Sequence, residues 1–536
     1  MPRAIRLRPW QRVALDRLIA SEGADFLAVA TPGAGKTTFA LAAARHWLAE
    51  RPGPLVVVVP TAHLKAQWAR AAVALDLHLE ASWTPSRGRL PGDMHGIVTT
   101  YQQVSAAPQA LAKVSRGAVV ILDEVHHAGD ERAWGEALLA AFANARRRLS
   151  LSGTPFRSDT RSIPFIRYTE DEAQPDYEYG YGPALADHHV VRPVYFPRTG
   201  GEMEWSAPDG SLWSASFDDA LAQSRANQRL RSALSLEGEW LPEVLRAAHQ
   251  RLRTIREHHP DAGGLVIATD QEHARGVAKL IVEQLRARCV VATSDDPDAS
   301  AKILGYAASD TPWLVAVRMV SEGVDIPRLR VGVFATTTTT ELFFRQAVGR
   351  LVRYQSGLRR QSAYLFIPDD VRLRTQAAQI ADDRRHSLKK SALERPELPY
   401  EGDEAFDARD EEPTFEQGSL FAVISAVATA AEHHFDEVEL PAENAEEDPA
   451  LVLNLPAPPP LAAAAGYDGR SRTEVKEQLR LRNAEVVRAL VHHTGLSHAQ
   501  VNGELNRLAG LRRVTEATIG QLEKRLDLGE RWFARR

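Results

Sequence analysis

The chain has 536 residues, 44% of them hydrophobic and 25% charged, with a formal net charge of -5. Such length suits several domains with buried cores, and such balance is that of a globular chain. A single cysteine, Cys289, excludes an intramolecular disulfide and a cysteine-rich zinc site and makes the cytoplasm the expected compartment. The opening stretch MPRAIRLRPWQRVAL lacks the apolar core of a secretory signal, and no apolar run is long enough to span a bilayer. The net charge does not decide for or against nucleic acid, because a protein that holds a strand in one groove need not be basic overall.

In chain order, FLAVA (26–30), LVVVV (55–59), GIVTT (96–100), AVVILD (118–123) and RLSLSGT (148–154) read as buried strands. Alanine-rich helical stretches, such as 36–50 and 61–75, lie between them. Continuous apolar strands alternating with helices imply a parallel sheet covered on both faces. The alternation fades near Pro193. It resumes with GLVIAT (264–269), CVVATS (289–294), WLVAV (313–317), VGVFA (331–335) and AYLFI (363–367). The stretch between the two blocks, about 197–245, carries Trp205, Trp213 and Trp240 and reads as a connector with some helix.

Residues 401–450 hold 16 acidic residues against one arginine, Arg409, and LPAPPPLAAAA follows at 455–465. That composition predicts a mobile linker, within which FAVISAVATAA (421–431) could form a helix. Over 467–536, 14 Lys/Arg stand against 9 Asp/Glu. Helical periodicity returns there, with a helix ending at Gly495, a second capped by Ser497 and a third capped by Thr515. Short basic helices with tight turns fit a helix-turn-helix-like DNA module, and a protein-docking module equally.

ATPGAGKT (30–37) follows a strand and opens a helix. The glycines let backbone N–H groups turn toward phosphates, Lys36 reaches the terminal phosphates, and Thr37 is placed to hold Mg²⁺. The strict pattern begins with glycine, whereas this chain has Ala30. VVILDEVHH (119–127) ends an apolar strand in two carboxylates: Asp123 as a Mg²⁺ holder and Glu124 as a base for water. The pairs His126–His127, His188–His189, His433–His434 and His492–His493 lack the partners a zinc site needs and read as surface or coupling residues. In RQAVGRLVR (345–353), Gln346, Arg350 and Arg353 share one helical face.

Together these segments resemble the superfamily 2 helicases of the DEAD/DEAH (DExH) type, with motifs in the family's order across residues 8–353. RPWQ (8–11) resembles the adenine-reading segment, ATPGAGKT motif I, VVPTAHLKAQW (58–68) motif Ia and TTYQ (99–102) motif Ib. DEVH (123–126) resembles motif II, SGTP (152–155) motif III, VSEGVDIP (320–327) motif V and QAVGRLVR (346–353) motif VI. The resemblance implies two RecA-like domains, with ATP in the cleft between them and nucleic acid across their top.

It also implies the site. ATP is held by Gln11, Thr31, Pro32, Gly33, Ala34, Gly35, Lys36, Thr37 and Thr38, with Gly323 and Asp325 contributing from motif V and Mg²⁺ on Thr37 and Asp123. Catalysis falls to Lys36, Asp123, Glu124, Gln346 and the arginine fingers Arg350 and Arg353. Ser152 and Thr154 couple ATP to the track, and Thr61, Thr99, Thr100 and Thr293 contact nucleic-acid phosphates. Arg345 has no comparable role and faces solvent or nucleic acid.

The expected organisation is α/β: a RecA-like domain over 1–196, a connector over 197–245, a second RecA-like domain over 246–397, an acidic linker over 398–466 and a basic helical module over 467–536. The forms DEVH and RPWQ look closer to DNA helicases and translocases than to the RNA-specific branch. The expected partner is therefore DNA, with a protein partner open to the C-terminal module. An RNA helicase or remodeller, and an ATP-switched interaction module in a repair or defence assembly, stand as alternatives.

Overall fold

The computed structural model describes residues 5–87, 90, 92–126, 132–153, 162–170, 172–187, 190–207, 209–293, 295–296, 298–317, 326–355, 357–358, 361–392, 422–430, 451–453, 455–461 and 472–534. The chain divides into two compact units, one of Met1–Ala30, Gly35–Glu178 and Glu447–Arg536, the other of Thr31–Ala34 and Tyr179–Glu446.

The first unit is built on a seven-stranded sheet. Its order runs Tyr177–Tyr179, Asp25–Ala30, Arg147–Ser152, Val119–Leu122, Leu55–Val59, Gly96–Thr100, Leu79–Glu80. The five strands read from the sequence are all present and pair in parallel. Leu55–Val59 and Val119–Leu122 are buried along their whole length, because helices cover both faces. That is why their sequence shows continuous apolar runs rather than alternation. Helices Lys36–Glu50 and Ala62–Val73 fall where the alanine-rich stretches are.

The second unit has a nine-stranded sheet with a parallel core in the order Ala363–Pro368, Leu329–Ala335, Gly263–Ala268, Trp313–Ala316, Cys289–Ala292. Arg198–Ser206 and Leu212–Ser216 extend this sheet, so residues 197–245 are part of the second unit and not a mere connector. Their tryptophans explain the difference. Trp205 and Trp240 are fully buried in the same core as Val266, Val315 and Val333.

The expected helix at 421–431 is instead the strand Ala422–Ala430, antiparallel to Arg198–Ser206 with one register shift. Its small and β-branched residues suit either state, and the strand beside it decides. Among the described residues no helix is long and apolar enough to cross a membrane.

The C-terminal helices Arg472–Thr494, His498–Ala509 and Ile519–Ala534 pack on one another around Leu490, Leu505 and Leu522. Gly495 and Gly510 take left-handed backbone after the first two, as helix C-termini favour. Ser497 caps the second through a box with Gln500. The third is capped by Thr518, whose hydroxyl accepts from the Gln521 N–H, rather than by Thr515. Thr515 lies in the 3-10 turn Val514–Glu516.

This module is not a loose tether, as the acidic and proline-rich composition before it suggests. It is docked on the first unit by buried charge. Lys476 Nζ lies 2.7 Å from Asp93 Oδ1 and 3.9 Å from Glu80 Oε2, and all three residues are at most 2% exposed. Arg480 reaches Glu80 Oε2 at 3.1 Å. The second oxygen of Asp93 accepts from the N–H of Ile519 at 2.9 Å, so the carboxylate also satisfies the positive N-terminus of the last helix. Burial pushes the Glu80 carboxyl up, but Arg480, Ser82 and Lys476 outweigh it and hold it below its ordinary value. Burial lowers the Lys476 ammonium despite the two carboxylates.

Upstream, the segment 455–461 is held too. Arg45 donates to the carbonyls of Pro456 and Leu455, and His95 Nε2 lies 3.0 Å from the Pro459 oxygen. In addition, Ile5–Leu7 pairs with Leu451–Leu453.

Removing one member of a buried ion pair leaves the other uncompensated, typically at about 3–5 kcal/mol. Asp93→Ala should therefore lower the free energy of unfolding by several kcal/mol and expose the last helix to proteolysis. Denaturant unfolding and limited digestion measure both, and wild-type resistance would refute the docking role.

A second expectation concerns acid. His95 Nδ1 accepts from the His78 N–H at 3.0 Å while Nε2 faces the Pro459 carbonyl, which requires a neutral ring. Burial, then Arg472 and His95, push His78 down to about 4. In the unfolded chain the imidazole protonates near 6.5. Between these values the unfolded state binds more protons, so this contribution is complete above pH about 6.5 and is lost as pH falls toward 4. Unfolding midpoints at pH 7.5 and 5 should show that loss, with a shallower pH slope in His78→Gln.

Candidate active site

The strand Asp25–Ala30 leads through the loop 31–35 into the helix Lys36–Glu50. Gly33 and Gly35 have φ of 84° and 96°, a left-handed backbone that disfavours side chains. A Cβ at Gly35 would lie 2.7 Å from Gln11 Nε2. Gln11 is 3% exposed, donates to the Gly35 carbonyl at 2.9 Å and accepts from the Arg8 N–H at 2.8 Å. The glutamine of RPWQ thus braces the phosphate loop directly. Thr38 N–H turns back to the Gly35 carbonyl, which sets the first helical turn where Thr37 sits.

Lys36 Nζ donates to the Ala30 carbonyl at 3.1 Å and pairs with Glu124 Oε1 at 3.2 Å. Glu124 follows the strand Val119–Leu122 and has φ of +47°. A non-glycine residue in that region costs on the order of 1–3 kcal/mol and persists only where its surroundings hold it. Here they do: Glu124 Oε2 accepts from the Gly153 N–H at 3.0 Å, and His126 Nδ1 stands 3.7 Å away. His126 is buried and lies 3.2 Å from Ser152 Oγ. It is therefore not a surface residue, and its ring joins the DEVH segment to Ser152 of the SGTP segment.

Asp123 is held from behind. Its carboxylate accepts from the Trp68 indole at 2.8 Å, and its carbonyl from the Tyr101 hydroxyl at 2.9 Å. Burial and the neighbouring Glu124 push its pKa up to about 7, against the pull of Lys36 and Trp68. A divalent cation beside that carboxylate would favour its ionised form, and Thr37, in the first turn of the helix Lys36–Glu50, would be the hydroxyl ligand for Mg²⁺. Trp68 and Tyr101 are partners that motif reading does not assign. They sit inside the motif Ia and Ib segments, but only the structure shows where their polar atoms point.

In the second unit Gln346 and Arg350 lie on the helix Glu341–Leu351, and Arg353 follows it, bridging its backbone to Val191. Thr31–Ala34 also belong to this unit, and a Cβ added to Gly33 would meet Arg353 Cγ at 3.5 Å. Arg345 is occupied by Glu341 at 2.7 Å. Gly323, Asp325 and Thr154 fall outside the described residues, as do His127, His188, His189, His433 and His434. Among the described residues no cluster of His, Cys, Asp and Glu could hold a metal by itself.

The four threonines expected at nucleic acid have varied surroundings. Thr100 caps the helix Tyr101–Ala106, and Thr99 donates to Gln103, so both hydroxyls serve the turn. Thr61 precedes the helix Ala62–Val73, and its buried hydroxyl has no hydrogen-bond partner. Thr293 is buried and bonds Asp295.

Residues 4–157 match the family "Type III restriction enzyme, res subunit". Uncharacterized proteins of Mycobacterium leprae and Mycobacterium tuberculosis are each 39% identical to this chain. They align over 97% of it and over 93% and 92% of their own lengths. The chain belongs to their family, within the superfamily 2 helicases.

Among solved structures, a fragment of a type I restriction enzyme HsdR subunit from Vibrio vulnificus aligns over 69% of this chain and 65% of its own, at 16% identity and TM-score 0.47. The DNA-bound Type ISP enzyme LlaBIII aligns over 72% and 30%, at 14% and 0.47. The chain thus spans just under two thirds of the first and under a third of the second. S. cerevisiae Dbp5 bound to RNA aligns over 70% and 87%, at 13% and 0.43.

Residues that orient a metal-binding carboxylate typically matter by about 10–100-fold. Trp68→Phe, which keeps the ring bulk and deletes the indole N–H, should slow ATP hydrolysis by roughly that factor with the fold intact. Steady-state turnover alongside a thermal melt checks this; unchanged turnover would remove Trp68 from the site.

Proposed function

We propose that this superfamily 2 protein is an ATP-driven DNA helicase or translocase. The observation that carries the reading is the Lys36–Glu124 pair at 3.2 Å, beside a buried Asp123 and beneath a loop with two left-handed glycines. Lys36 and the loop N–H groups bind the ATP phosphates, and Gln11 fixes the loop from its other side. Thr37 and Asp123 would hold Mg²⁺, which would supply charge neutralisation at the phosphate oxygens. Glu124 is engaged with Lys36. Phosphate competes for the ammonium and frees the carboxylate to accept a proton from the attacking water.

Arg350 and Arg353 stabilise the charge that develops on the transferred group, with Gln346 positioning water or phosphate. Guanidinium suits this because it is planar, forked and permanently charged. The bond between Glu124 and the Gly153 N–H gives the nucleotide state a path to motif III and from there to the strand. The choice of DNA is supported by the DEVH and RPWQ forms and by the restriction-enzyme family matched at residues 4–157.

ATP hydrolysis should be measured alone and with single-stranded DNA, duplex DNA and RNA. Stimulation by DNA is expected. Stimulation by RNA alone would favour an RNA remodeller, and none at all an ATP-switched interaction module. Lys36→Ala should abolish turnover. Glu124→Gln should retain ATP binding while stalling hydrolysis. Arg350→Ala or Arg353→Ala should cost ~10³–10⁵ in turnover with little effect on binding, as for other arginine fingers.

A further inference from the structure

The C-terminal bundle carries a cavity of about 370 Å³ that opens to solvent. Arg480, Asn483 and Arg488 line it from the first helix, His498 and Asn502 from the second, and Arg525 from the third. No carboxylate lines it. Arg525 is the centre of the arrangement. It is 1% exposed, and its Nε, Nη1 and Nη2 donate to the side-chain oxygens of Asn506, Asn483 and Asn502 at 2.9, 2.9 and 2.6 Å.

Two of these amides are turned for the purpose. Asn483 spends its N–H₂ on the Leu479 and Leu522 carbonyls, and Asn502 on the His498 carbonyl, so their oxygens face the guanidinium. Three neutral dipoles orient the cation but do not neutralise it. Burial lowers Arg525 from its ordinary value, with no carboxylate pulling the other way. A buried charge is ordinarily paired. A guanidinium has five N–H donors, and these three bonds leave two. Arg480 gives its terminal nitrogens to Ser82, Glu80 and the Thr515 carbonyl, and its buried Nε has no hydrogen-bond partner. The exposed Arg488 stands at the rim.

We propose that this pocket binds a phosphate group, with Arg525 and Arg480 as its floor and Arg488 as its outer clamp. Forked, permanently charged donors match phosphate oxygens, and the open cavity of about 370 Å³ has room for a phosphate together with part of the molecule that carries it. The phosphate can belong to a nucleic-acid strand or to a small phosphorylated ligand. The site is separate from the nucleotide loop and does not depend on the function proposed for it.

The test is equilibrium dialysis of radiolabelled orthophosphate with the full chain, in saturating non-hydrolysable ATP analogue so that the nucleotide loop is filled. Wild type should bind one phosphate, and the exposed rim variant Arg488→Glu should bind it at least tenfold more weakly. Arg488→Lys should retain most of the affinity, and unstimulated ATP hydrolysis should be unchanged in both. Competing oligonucleotides with a 5′-phosphate or a 5′-hydroxyl identify the source. Displacement by both assigns backbone phosphate, by the first alone a strand end, and by neither a small ligand. Absence of bound phosphate in wild type, or equal affinity in Arg488→Glu, overturns the proposal. Failure of the analogue to bind would count against the nucleotide site alone, since loss of phosphate in Arg488→Glu still reports this pocket.

Discussion

The chemistry proposed for this protein depends on one ion pair, that of Lys36 with Glu124. Sheet order explains why it forms. The strand Asp25–Ala30 that feeds the phosphate loop pairs with Arg147–Ser152, which in turn pairs with Val119–Leu122. In a parallel sheet all three end on the same edge, so the residues after each strand meet without any long-range search. Lys36 follows the first, Gly153 the middle one and Glu124 the third. The middle strand is therefore no spacer. Its terminal N–H holds the second oxygen of the same carboxylate that pairs with lysine.

The two neighbouring acids diverge because their environments differ. Asp123 faces inward onto Trp68 and is nearly fully buried, whereas Glu124 is swung out by its left-handed backbone toward Lys36 and Gly153. Burial raises the first carboxyl, whose ionised form a nearby cation would favour. The second is paired with the Lys36 ammonium, for which a bound phosphate would compete in the proposed chemistry. Adjacent residues of one sequence motif thus acquire separate tasks from backbone geometry and desolvation.

The same physics decides what the sequence makes legible. Strands buried on both faces write themselves as LVVVV or GLVIA, and ten such runs are strands in the structure with ends shifted by no more than two residues. Lys36, Asp123 and Glu124 stand out in the sequence because loop and strand end are local patterns, and the structure brings Lys36 within 3.2 Å of Glu124. Trp68 and Tyr101 support Asp123 across 55 and 22 residues of chain, and a lone sequence carries no sign of that. The strand Ala422–Ala430 was open to misreading for a related reason: its state is set by the partner Arg198–Ser206. Composition also misleads. Acidic and proline-rich residues before the C-terminal helices suggest a tether, yet proline carbonyls are good acceptors, and Arg45 and His95 use them.

The docking of those helices carries the argument furthest from composition. Burying Lys476 with Asp93 and Glu80 is a poor way to gain stability, since desolvation offsets much of the attraction and an apolar contact of the same size often does as well. What the charges add is selectivity of placement. Asp93 must meet Lys476 with one oxygen and the Ile519 N–H with the other, and a shift of one helical turn would strand both. Arg480 links this network to the cavity: its terminal nitrogen holds Glu80, and the residue also lines the pocket beside Arg525. One arginine thus belongs both to the contact that fixes the bundle on the first unit and to the pocket inside the bundle. A phosphate bound there as proposed would draw on the same guanidinium that steadies Glu80, which would link occupancy of the pocket to seating of the bundle through a single side chain.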